Sequence, residues 1–240
     1  MISKYNRDKI TLLSTIVIVM VCYLHSYYPE ANEYVVAGGI QRILTGLFQL
    51  ANPFFFLLSG FLFFNQLKGL KDCFVKIKKR IRTLVIPYLL WNLITVFYFF
   101  TLYFLSPISI NSDIVPTITN GTLIEILHRV FVEPAGFQLW FLRDLIGYVF
   151  ISPILFIGMK YLSYFIPLIL LLLDYQLHQG NLFFFVLGGS VAMNTSLERL
   201  DLFLRNRIFR FSIIILFVIY CVMTILKVNN IVSWGGYHSN

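Results

Sequence analysis

His25 closes the first long apolar run of this chain. An ionisable imidazole at the rim of such a run is costly unless it faces a polar cavity or finds partners. Its ordinary pKa lies close to working pH, which suits a general base that takes a proton from an attacking hydroxyl. The competing reading is an interfacial histidine that snorkels beside Ser26 and Tyr27. A second group lies in Phe137-Gln-Leu-Trp-Phe-Leu-Arg-Asp-Leu145. Arg143 and Asp144 stand at the start of an apolar run, where charge must be paired or solvated, and Trp140 suits either an interfacial belt or stacking on a sugar face.

A basic cluster, Lys76-Ile-Lys-Lys-Arg-Ile-Arg82, precedes Leu84-Val-Ile-Pro-Tyr-Leu-Leu-Trp-Asn92. Such a cluster at a helix entrance anchors topology, and its guanidinium groups also have the fork geometry that grips the phosphates of a cytoplasmic donor. In Asn52-Pro-Phe-Phe-Phe-Leu-Leu-Ser-Gly-Phe61, Pro53 is expected to break the hydrogen-bond ladder in mid-span, while Ser59 and Gly60 permit close helix approach. That pattern reads first as a kinked, tightly packed helix, and second as a kink that opens a polar pocket.

Other chemistries are poorly supported. Glu125 and His128 have the spacing of a carboxylate–histidine metal motif, but di-iron sites need two such motifs and further carboxylates, so no metal is expected. Walker, dinucleotide-binding, zinc-protease and nucleophile-elbow patterns are missing from the sequence. Cys22 and Cys221 fall in apolar runs, as packing residues would, and Cys73 is expected in a basic loop.

The elements that must position these residues follow from composition. Hydrophobic residues make up 58% of the chain and mean hydropathy is +0.79, while charged residues supply 12%, about half the ~25% of soluble domains. A water-soluble fold of this length could not hide so much apolar surface, so the bilayer is the expected solvent. The net charge of +8 falls in the gaps between apolar runs, which fits anionic headgroups and topology signals rather than nucleic acid.

Runs near 10–28, 43–65, 84–105, 139–159, 161–176, 181–195 and 208–227 read as seven spans, the fifth and sixth short. The first has a basic flank but no small-residue cleavage site, so it is expected to persist as a helix rather than leave as a signal peptide. With the N-terminus inside, fifteen of the nineteen Lys and Arg residues face the cytoplasm. The longest loop, about 106–138, is then external, and within it 122–132 has the spacing of a short amphipathic helix. The expected fold is an all-α, polytopic transmembrane helix bundle with a cytoplasmic N-terminus, a single membrane domain over 1–240.

Taken in order, the pieces resemble the acyltransferase-3 family of bacterial membrane O-acyltransferases. They are Val21-Cys-Tyr-Leu-His25-Ser, Pro53 to Phe61, Lys79-Arg-Ile-Arg82 through Asn92, Leu139-Trp-Phe-Leu-Arg-Asp-Leu145 with Pro153, and Phe183-Phe-Phe-Val-Leu-Gly-Gly189. The resemblance implies transfer of an acyl group, commonly acetyl from acetyl-CoA as donor substrate with no bound cofactor, to a hydroxyl of a cell-envelope or exported carbohydrate. It implies a multi-pass protein of the bacterial inner membrane. In that scheme His25 activates the acceptor or a relay group; Lys79, Arg80 and Arg82 engage the donor; and Trp140, Arg143, Asp144, Ser59 and Asn92 build the acceptor cavity. Transport is a weaker alternative, since no internal repeat is evident.

Two departures accompany the resemblance. The family places an arginine eleven residues before the histidine, where this chain has Ser14, about 16 Å down the same helix. The family also has more spans, with a late helix that this sequence does not reach, so the chain is expected to correspond to the N-terminal part of the domain. A truncated, non-catalytic homologue or a scaffold for a glycan-modifying system is therefore the alternative expectation.

Overall fold

The computed structural model describes residues 4–26, 35–105, 122–177, 181–195, 199, 202–203 and 205–228, and among them the regular structure is helical throughout. In chain order the helices are α1 (Lys4–His25), α2 (Val35–Phe48), α3 (Ala51–Phe64), α4 (Leu70–Arg80) and, after a π-helical turn at Ile81–Val85, α5 (Ile86–Leu105). Then come α6 (Leu123–Phe131), a 3-10 turn at Phe137–Leu139, α7 (Trp140–Leu162), α8 (Phe165–Leu177), α9 (Asn181–Asn194) and α10 (Arg207–Val228).

Five stretches among the described residues are long and apolar enough to cross a membrane: Asp8–His25, Ile40–Phe64, Leu70–Tyr103, Trp140–Leu162 and Arg207–Leu226. The fifth and sixth expected spans form α8, of 13 residues, and α9, of 14. Both are shorter than the ~20 residues a straight crossing needs. The chain is a helical membrane bundle. Large apolar side chains such as Val19, Phe97, Ile154 and Leu216 stand exposed on its helices, which only a hydrocarbon solvent tolerates on this scale.

The centre of the bundle is a backbone-to-backbone contact between α3 and α9. A side chain at Gly60 would meet the Phe185 carbonyl, and one at Gly188 would meet that of Leu57. In lipid, helix association rests on packing rather than on escape from water, so bare glycines that let two helices touch replace the usual apolar ridge. Around this contact Phe56, Phe63, Phe64, Tyr148 and Phe185 interlock edge-on or tilted, and Met159 of α7 closes the cluster.

Two sequence expectations are corrected. The interruption in the second span falls at Gln49–Leu50, before Pro53 rather than at it, and Pro53 occupies the third position of α3. Proline lacks an N–H and its ring would strike the carbonyl four residues back, so the helix ends first and restarts with proline in its first turn. Cys73 is not in a loop. The basic segment forms the amphipathic helix α4, and its face of Cys73 and Ile77 is buried against α7.

Lys76 lies on that same inward side. Its ammonium donates to the carbonyls of Phe63 (2.6 Å) and Asn65 (2.7 Å), capping the C-terminal end of α3. Elsewhere α10 is tied to α2 by the Tyr220 hydroxyl, which donates to the Gly46 carbonyl, with Thr224 packed on the same glycine. The expected amphipathic helix is α6, begun by a capping box between Thr122 and Glu125.

Candidate functional site

The chain from Val132 to Leu139 is a connector held by two helices. On α5, Asn92 is 1% exposed and its Oδ1 accepts the Ala135 N–H at 2.8 Å. On α7, Arg143 Nη1 donates to the Val132 carbonyl at 2.7 Å, while Nε and Nη2 hold Asp144 Oδ1 at 2.9 and 2.8 Å. Three N–H groups of the guanidinium are thereby committed, which fixes its plane. Gly136 is buried beside Thr95, where a side chain would press on the threonine hydroxyl.

Asn92 is ten residues beyond Arg82, about 15 Å along a helix, so a segment expected outside the membrane bonds to a residue nearer the Ile86 end of α5 than the Leu105 end. Trp140 opens α7, with its ring 6.5 Å from Phe56 and 6.1 Å from Phe141. Of the expected acceptor-side residues, Asn92 and Arg143 hold the connector, Asp144 is tied to Arg143, and Trp140 follows the connector at the start of α7.

The fifth, Ser59, is half-buried on α3 beside the Gly60 contact. His25 is the last residue of α1 and is exposed, and the Ser26 hydroxyl donates to the Cys22 and Tyr23 carbonyls behind it. α1 packs on α2 and α3, with Tyr23 edge-on to Phe48 at 4.9 Å. The connector is held instead by α5 and α7, so the acceptor-side group and His25 stand on different helix pairs.

Of the basic residues, Lys79 and Arg82 are exposed, while Arg80 is half-buried at the end of α4. Arg80 borders a crevice with Ile77, Leu84 and Val149 of about 10 Å³, too small for a ligand larger than a water molecule. The π-helical turn that follows inserts an extra residue into the helix and rotates Arg82 relative to Arg80; such turns recur at functional sites.

Residues beside the expected ones are legible as helical faces. Tyr88, Asn92 and Thr95 follow i, i+4, i+7 on α5, and Tyr88 is 3% exposed and within electrostatic reach of Arg143. Cys73, Lys76, Ile77 and Arg80 follow the same rule on α4, which turns Lys76 and Arg80 inward while Lys78, Lys79 and Arg82 stay exposed.

Residues 7–239 match the family model described as an acyltransferase domain. The chain belongs to the acyltransferase-3 family. A relative of this acyltransferase-3 chain is the succinoglycan biosynthesis protein ExoH of Rhizobium meliloti (strain 1021), 27% identical over 157 residues. That stretch is 64% of this chain and 42% of the relative, so the chain matches less than half of the relative's length. No solved structure matches it. The motifs that carried the resemblance from sequence, including Pro53–Phe61 and Leu139–Leu145, lie within the matched residues.

Proposed function

We propose that the chain is a membrane O-acyltransferase that moves an acyl group, acetyl from acetyl-CoA, from a cytoplasmic donor to a hydroxyl of a cell-envelope or exported carbohydrate. Family membership supports acyl transfer, and the relative's part in succinoglycan biosynthesis supports a saccharide acceptor. We place it in the bacterial inner membrane as one domain over 1–240 with its N-terminus inside, from the asymmetry of Lys and Arg.

The observation that carries this reading is the connector seated on Asn92. It ties the acceptor-side connector to Asn92, about 15 Å along the helix from Arg82, half a bilayer rather than a whole one. The flexible arm of a coenzyme A thioester can cover that distance. Lys79, Arg80 and Arg82 bind the donor phosphates; Trp140, Arg143, Asp144, Ser59 and Asn92 shape the acceptor cavity. His25 takes the proton of the acceptor hydroxyl, the oxygen attacks the thioester carbonyl, the C–S bond breaks and the thiolate leaves to be protonated. The reaction needs no metal or resident cofactor in this scheme.

Ser14, which stands where the family carries arginine, favours a second reading: a non-catalytic homologue or scaffold of a glycan-modifying system. Purified protein given acetyl-CoA and membrane glycan extract separates the two. Turnover that is lost in His25→Ala establishes the enzyme; no turnover in protein shown to be folded and inserted selects the scaffold.

A further inference from the structure

A cleft of about 570 Å³ opens between the start of α4 and the last turns of α7, and three lysines line it: Lys68, Lys71 and Lys160. All three are exposed. The one carboxylate in the cleft, Asp72, already accepts the Lys68 backbone N–H at 2.9 Å, so the cations outnumber it three to one. Beneath them the wall is apolar. Ile157, 44% exposed, and Tyr161, 77%, form most of it, with Phe156, 5% exposed, at its base. Exposed Phe74 and Ile154 continue the apolar surface along α4 and α7.

A cationic rim above an exposed hydrocarbon wall is complementary to an amphiphile with an anionic head. A soluble phosphate would satisfy the lysines and leave the wall bare. A zwitterionic lipid would cover the wall and leave the charge unmatched. We propose that this cleft is a binding site for an anionic phospholipid, its phosphate held by Lys68, Lys71 and Lys160 and its acyl chains lying on Phe156, Ile157 and Tyr161. The lysines fall on the side that the charge count makes cytoplasmic, where anionic headgroups are concentrated. The site is separate from the donor-binding residues: Arg80 is ten residues beyond Leu70 on α4, about 15 Å along the helix. A lipid here would brace α4 against α7 at the end remote from Arg80.

The test is native mass spectrometry of the full chain, released from detergent in the presence of dioleoylphosphatidylglycerol, dioleoylphosphatidylcholine or dihexanoylphosphatidylglycerol. The long-chain anionic lipid should be retained over both others. The triple variant Lys68→Gln, Lys71→Gln, Lys160→Gln should weaken its binding by at least about tenfold, because each surface cation contributes separately to headgroup attraction. The corresponding triple arginine variant, which keeps the charge, should bind within about twofold of wild type. A matched loss of charge elsewhere, Lys78→Gln, Arg207→Gln, Arg210→Gln, should also leave it within about twofold. All the altered side chains are exposed, and an unchanged elution profile confirms that the variants fold. Equal loss in the two glutamine triples, no preference over phosphatidylcholine, or displacement of the lipid by inorganic phosphate or coenzyme A would each overturn the proposal.

Discussion

Asn92 and Arg143 stand on different helices and grip the same connector three residues apart, Asn92 at the Ala135 N–H and Arg143 at the Val132 carbonyl. One supplies an acceptor and the other a donor, so neither can replace the other. The pair fixes the connector between α5 and α7, just before Trp140 begins α7.

Asn92→Leu should strand a buried backbone N–H, at a cost of about 1–3 kcal/mol. Asn92→Asp keeps an acceptor oxygen for the Ala135 N–H but buries a carboxyl, so it too should lose stability. Arg143→Lys keeps charge but loses the fork that serves Asp144 and Val132 together. Thermal unfolding in detergent should show the Asn92→Leu, Arg143→Lys double variant losing less than the sum of the singles, since each change already loosens the same connector. Strict additivity would show that the two contacts act independently.

The glycine contact makes a sharper expectation. Gly60→Ala and Gly188→Ala each press a methyl onto a helix carbonyl that cannot step aside. Overpacking of this kind costs about 1–3 kcal/mol. Gly147→Ala, at an exposed position of α7 where the added carbon meets nothing within 4 Å, is the control. Size-exclusion profiles and unfolding midpoints should show the two contact variants below wild type and Gly147→Ala at or above it.

Lys76 is expected to act as structure and not as surface charge. Lys76→Met removes a charged donor from two α3 carbonyls, and hydrogen bonds from charged groups contribute about 1.5–3 kcal/mol. Lys78→Met, two residues on and exposed, should be neutral to stability. If both variants unfold alike, the cap on α3 is not what Lys76 contributes.

These particulars show which parts of the molecule are visible in the chain. Span positions are local and compositional: a run such as Arg207–Leu226 announces itself by apolar length alone. The start of α6 is equally local, because Thr122 and Glu125 carry both halves of a capping box. Ser59-Gly60 and Gly188-Gly189 could each be read as points of close approach, but not as partners of one another. The Asn92–Ala135 bond joins residues 43 apart with no spacing rule to reveal it. The Lys and Arg count makes the connector part of an external loop and carries no sign of its bond to α5. Of the candidate site, residues 92 and 143 are singled out by type, while their hold on one connector is not legible in the sequence.

The capping box also sets a pH dependence. Glu125 accepts the Thr122 backbone N–H at 2.6 Å and the Thr122 hydroxyl at 3.0 Å. These bonds, the backbone one first, hold its carboxyl below the ordinary carboxylate range. A depressed folded-state pKa stabilises above the unfolded value of about 4.3, and the contribution fades as pH falls through the folded one. The first turn of α6 should therefore stay protected at neutral pH and fray in acid. Glu125 is fully exposed, so the effect should remain local to α6 and leave the bundle's unfolding midpoint unchanged. Hydrogen exchange at the Thr122 and Glu125 amides, the two that the capping box bonds, should rise in acid beyond the intrinsic trend, and in Glu125→Ala the Thr122 amide should exchange faster already at pH 7. If exchange in the variant matches wild type at neutral pH, the carboxylate is not what begins the helix.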